Sequence, residues 1–73
     1  MENKEILLDV SELEAPLPLI QATQALRQLQ NGETLVFIHR MFPCKLPEQI
    51  EKLGLKSEII KNEENYFEMR IFH

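Results

Sequence analysis

A two-layer α+β sandwich, built from a mixed four-stranded sheet with two helices on one face, is the fold class this sequence predicts. Three observations carry the prediction. Apolar residues recur at helical spacing over 16–30 and, more briefly, over 47–54. Short β-prone apolar runs stand before, between and after those two segments, and a polar turn at 62–65 splits the last run into a hairpin. The resulting order, β-α-β-α-β-β, needs two crossovers and one hairpin, which places both helices on the same side of the sheet. With 73 residues the chain has room for one core, so 1–73 is read as a single domain.

Each element has its own signals. "EILLDV" (5–10) is a short strand that ends at Ser11-Glu12. In "PLPLIQATQALRQLQ" (16–30), Leu19, Ala22, Leu26 and Leu29 fall on one helix face, and Ile20 and Ala25 are expected to widen it. Pro16 suits the first turn, where amides have no intrahelical partner, and Asn31-Gly32 supplies the stop. "ETLVFIHR" (33–40) is almost unbroken in its apolar residues, which predicts a central strand covered on both faces. Alternation sets Leu35, Phe37 and His39 on one side of it and Val36, Ile38 and Arg40 on the other.

"MFPCKLP" (41–47) reads as a loop, since Pro43 and Pro47 bias the residues before them away from helical geometry. "PEQIEKLG" (47–54) is a second helix with Leu46, Ile50 and Leu53 on its inner side, Glu48 in its first turn and Gly54 at its end. "KSEIIKNEENYFEMRIFH" (56–73) is the hairpin, with Phe67, Met69 and Ile71 facing one way and Tyr66, Glu68, Arg70 and Phe72 the other. A sheet covered by helices on one side leaves an open face. Tyr66 and Phe72, with Phe37 or Leu35, are the candidates to populate it as a docking surface for a protein partner or a second copy of the chain.

Composition narrows the function classes. A hydrophobic share of 44% with 27% charged residues describes a globular chain. The apolar runs fall far short of the roughly 20 residues a membrane span needs. No signal-peptide pattern opens the sequence, so a cytoplasmic protein is expected. The net charge is −4, and the Lys and Arg residues are scattered among carboxylates, which argues against nucleic-acid binding. A single cysteine, Cys44, excludes an intrachain disulfide and a Cys-rich zinc site.

A strand ending in "LDV", a short turn, a Pro-x-Pro at a helix start and "GETL" opening the second strand together resemble the TusA/SirA-like family of small sulfur carriers. The resemblance is closer still to a TusA-like branch of unknown function that carries "LDVREL-PP-PL" at the front, and it covers about residues 7–72. It implies the same β-α-β-α-β-β layout. It also implies a chemistry resting on Cys-Pro-x-Pro, whose cysteine sits at the start of the first helix and carries a persulfide. Here that motif reads Ala15-Pro16-Leu17-Pro18. A methyl group cannot hold a persulfide, so sulfur relay through position 15 is excluded, and the prolines are left to shape the start of the helix. Both lack an N–H, so this helix end offers an anion fewer donors than usual.

The remaining candidates are few. Cys44, with Lys45 beside it and Arg40 close in sequence, is either a thiol packed under the loop or one that a helix start and neighbouring cations make reactive. His39 and Arg40 fall at the carboxyl end of a strand, where ligand sites of layered α/β folds often lie. His39 could titrate or bind a metal and Arg40 could hold an anion, or both could simply be solvated or bonded to loop carbonyls. A lone histidine is a poor metal site, so no metal and no cofactor are expected. Glu12 with Glu14 and Glu63 with Glu64 lie in turns and read as solvated carboxylates. The reading is a small non-enzymatic interaction or ligand-binding module on a sulfur-carrier-like scaffold. The alternatives are a sulfur, thiol or redox carrier acting through Cys44, and a metal or haem accessory site at His39.

Overall fold

In the computed structural model, which describes residues 4–73, the chain runs β1 (Lys4–Asp9), α1 (Leu17–Gln28), β2 (Glu33–His39), α2 (Leu46–Lys52), β3 (Lys56–Glu63) and β4 (Tyr66–Phe72). The sheet order is β1-β2-β4-β3, with β1 and β2 parallel and the other two pairs antiparallel. The two most apolar strands hold the centre. Edge strand β3 is exposed along its whole length, and a register shift between Ile59 and Lys61 leaves Ile60 as a bulge. Charges and a bulge on an edge discourage pairing with other chains.

The core lies between the sheet and both helices. Leu35 and Phe37 of β2 stand in register with Ile71 and Met69 of β4, and they face Ala22, Leu26 and Leu29 from the first helical segment and Leu46 and Ile50 of α2. The expectation that both faces of β2 are covered does not hold. Helices cover one face, and on the other Val36 is flanked by its cross-strand neighbours Leu7 and Arg70. Phe37 and Leu35 therefore belong to the core and not to the open face. That face carries Leu7, Val36, Ile38, Tyr66 and Phe72, interrupted by a Glu5–Arg70 ion pair at 3.0 Å.

Two other expectations shift for local reasons. α1 packs through Pro18, Ala22 and Leu26, with Leu29 just past its end. Ile20 is two residues from both Pro18 and Ala22, about opposite that stripe, and is exposed. Leu53 is exposed as well, because the chain reverses at Gly54 (φ +70°). Gly54 N–H donates to Glu51 O and Leu55 N–H to Ile50 O, both at 3.0 Å. This is a Schellman ending, and it folds Leu55 back beside Ile50 into the core in place of Leu53. Gly32 (φ +87°) sits third in a Gln30–Glu33 turn closed by Glu33 N–H to Gln30 O at 3.0 Å, where a positive φ is required.

Candidate functional site

Because β1 and β2 are parallel, both end at the same edge of the molecule, and both helices start there. Val10 N–H donates to Ile38 O (2.9 Å) and Leu13 N–H to Val10 O (3.0 Å), which carries the β1–α1 loop across the end of β2. Between the two helix starts lies an apolar cleft of ≈ 300 Å³. One wall is Ala15, Pro16, Pro18 and Leu19. The other is Met41, Phe42, Pro43, Cys44 and Lys45, with His39 also lining the cleft.

The two helix starts share a local design. Pro16 caps α1 and Lys45 caps α2, neither through a side-chain hydrogen bond, and each cap is followed by Leu-Pro at the first two helical positions. Ala15 and Cys44 occupy the same place, one residue before the cap. The helix thus begins at Leu17, two residues after Ala15. Leu17 N–H is used by Glu14 O (3.0 Å) and Ile20 N–H by Pro16 O (3.1 Å). Since Pro16 and Pro18 have no N–H, α1 presents few free donors to the cleft.

The sequence candidates separate in the structure. His39, Cys44 and Lys45 meet the motif residues Ala15, Pro16 and Pro18 in one cleft. Arg40 does not: strand alternation turns it away, and its Nη2 donates to Leu13 O at 3.3 Å. Cys44 is exposed, which overturns the packed-thiol reading, and its Sγ lies 3.9 Å from Phe42 O as a weak donor. Phe42 anchors the loop through an edge contact with Phe67, ring centroids 5.3 Å apart. His73 lies elsewhere, its Nε2 donating to Leu29 O at 2.7 Å.

His39 is 8% exposed, stands edge-on to Phe37, and its buried Nδ1 has no hydrogen-bond partner. Burial lowers its pKa below the ordinary 6.5, the Arg40 charge adds to the effect, and the Val10 backbone opposes it. The imidazole is therefore neutral at pH 7. Met41, Phe42 and Pro43 were not anticipated in the site. Their signal was their position between two candidates, since Met41 lies two residues beyond His39 and three before Cys44.

A separate hollow beside the β1–α1 loop is lined by Asp9, Ser11, Glu12, Leu13 and Gln21. There Asp9 accepts from Ser11 N–H (3.0 Å), and hydrogen bonds from Ser11 hold its carboxyl below the usual range. Among the described residues, no three His, Cys, Asp or Glu side chains gather as a metal centre. No helix among them is long and apolar enough to cross a membrane. A family model described as sulfurtransferase TusA matches residues 6–72. No curated protein and no solved structure matches the chain.

Proposed function

The chain belongs to the sulfurtransferase TusA family, and on that premise we propose that it is a binding module which keeps the sulfur-carrier scaffold without carrying sulfur at the motif. The observation behind this reading is Ala15 in the wall of the cleft. The two prolines still shape the helix start, but the residue that would hold a persulfide is a methyl group. What remains at that place is a concave apolar surface with one buried imidazole and one ammonium group, the usual make-up of a small binding site.

The family's proteins act through partner proteins, and the cleft is the favoured place of contact here. The open sheet face is a weaker choice, since charged side chains divide its apolar residues.

A second reading, a thiol carrier acting through Cys44, is favoured by the matching helix starts: Cys44 stands before the α2 cap as Ala15 stands before the α1 cap. The first reading is preferred because α2 is a seven-residue helix. Rebuilding the motif tests the assignment. In a Cys44→Ser background, Ala15→Cys should accept sulfane sulfur from a cysteine desulfurase, whereas the natural chain should not. Equal loading of the natural chain and the rebuilt one would overturn the reading.

A further inference from the structure

We propose that two copies of the chain associate through β1, whose outer edges pair antiparallel across a two-fold axis to make one continuous sheet. The two edges of the sheet differ. β3 guards its edge with the Ile60 bulge and with Lys56, Glu58, Lys61 and Glu63. β1 has neither bulge nor proline, and its middle is Ile6-Leu7-Leu8. Such an edge is a template for another strand.

Hydrogen bonds fix which groups face outward. Lys4 N–H donates to Gly32 O (3.0 Å) and Val10 N–H to Ile38 O (2.9 Å). In a parallel pair, alternate residues turn their amide and carbonyl to one neighbour, so positions 4, 6, 8 and 10 serve β2. Glu5, Leu7 and Asp9 point theirs away from it, and among the described residues no strand lies on that side. Leu7 is also 67% exposed.

The occupant is a second copy because the helix flank beside this edge is neutral. α1 carries one charge in twelve residues, Arg27, in a chain that is 27% charged. Gln21 lines the hollow with Asp9 and Leu13, which turns its side of α1 toward β1. Helical spacing puts Leu17, Gln24 and Gln28 on that same flank, and all four residues are exposed. A two-fold contact sets each charge near the axis against its own copy. A chain of net charge −4 therefore meets itself best where charge is absent, a constraint that an unrelated partner does not impose.

Register follows from the same logic. Two-fold pairing sets residues of one face opposite each other, so it centres on Ile6, Leu7 or Leu8. Centring on Leu7 opposes Glu5 and Asp9 of the second copy, two carboxylates side by side. Centring on Leu8 opposes Ile6 and Val10 of the second copy, where the chain already turns into the β1–α1 loop. Centring on Ile6 joins Glu5 of each copy to Leu7 of the other by about four backbone hydrogen bonds. Glu5 is there neutralised by its own Arg70. Gln24 stands four residues from the end of α1 and Ile6 two from the start of β1, each about 6 Å from the same edge, so Gln24 lies level with the axis.

The cleft lies on the other flank of α1, where Leu19 lines it, so pairing leaves both clefts open. The patch is small, about 20 Å of strand across two layers about 10 Å apart, against the roughly 800 Å² a side of stable complexes. The dimer is therefore weak, and dilute protein is monomeric.

Sedimentation equilibrium from about 10 μM to about 1 mM, with a reductant to keep Cys44 from bridging chains, tests this. The average mass should rise from one chain towards two and level off there. Gln24→Glu, an exposed and helix-compatible change, should weaken association about tenfold or more by setting two carboxylates at the axis. Leu7→Lys should do the same at the strand edge, whereas Ile60→Lys on the opposite edge should change nothing. Amide exchange should slow with concentration at Glu5 and Leu7 but not at Asp9. A monomer at every concentration, association that survives Gln24→Glu or Leu7→Lys or falls with Ile60→Lys, growth beyond a dimer, or a Leu7 amide indifferent to concentration would each overturn the proposal.

Discussion

α1 and α2 open on the same Leu-Pro dipeptide and put it to opposite uses. In α1 the leucine, Leu17, is 47% exposed and Pro18 is buried, whereas in α2 Leu46 is 0% exposed and Pro47 is half-buried. Local sequence therefore decides where each helix starts and which N–H groups are missing. Tertiary packing decides which residue of that start turns inward. α1 is twelve residues long and has Ala22 and Leu26 to hold it, so its start can rotate Leu17 outward. α2 is seven residues long and depends on Leu46, Ile50 and the Schellman return of Leu55. The residues before the caps differ too, and there the chemistry diverges: alanine at one start, a thiol at the other.

The comparison is broken most sharply by truncating the two leucines. Leu46→Ala should cost about 2–5 kcal/mol, as should Leu26→Ala in the middle of the α1 stripe. In a small domain whose whole stability is about 5 kcal/mol, either change approaches unfolding. Leu17→Ala should stay within about 0.5 kcal/mol. Urea melts of the three variants read the difference, and equal losses at Leu17 and Leu46 would show that the two starts pack alike.

A smaller effect is expected where α2 ends. A Cβ on Gly54 would meet nothing within 4 Å, so the cost of Gly54→Ala comes from its φ of +70° alone. About 1–2 kcal/mol is the expected loss. A neutral outcome in the same melts would mean that the Schellman reversal does not hold Leu55 in the core.

The smallest effect is a pH dependence at the cleft. Folding lowers the pKa of His39 below 6.5, chiefly by burial. The stability its neutral form contributes is complete above pH 6.5 and is lost as pH falls through the folded value. Asp9 is held below its ordinary 3.8 and acts only in more acid solution. The protein should thus be less stable at about pH 5.5 than at about pH 7.5, and His39→Phe should flatten that slope. An unchanged slope in the variant would assign the acid limb to other groups.

Much of the fold was legible because alternation and helical spacing are local signals. Phe67, Met69 and Ile71 face the core as their period requires, and Leu26 lies mid-stripe. What was not legible depended on the third dimension. An apolar run such as Leu35–Ile38 reads the same whether a helix or only cross-strand neighbours cover its second face. Leu53 and Leu55 exchange roles because Gly54 reverses the chain between them. At the candidate site, Ala15, Pro16, Pro18, His39, Cys44 and Lys45 could each be named in advance, yet their meeting depends on the parallel pairing of β1 and β2. Arg40 left the group because it sits one residue from His39, on the other side of the strand.

We propose that this member of a sulfur-carrier family does not carry sulfur. Incubating the natural chain with a cysteine desulfurase and L-cysteine, trapping persulfides by alkylation and reading the intact mass tests it directly. The expected result is no adduct of one sulfur atom beyond that formed on an unstructured peptide of residues 41–47, and no transfer to an added acceptor thiol. A sulfur adduct that builds rapidly on Cys44 of the folded chain and passes to the acceptor would contradict it.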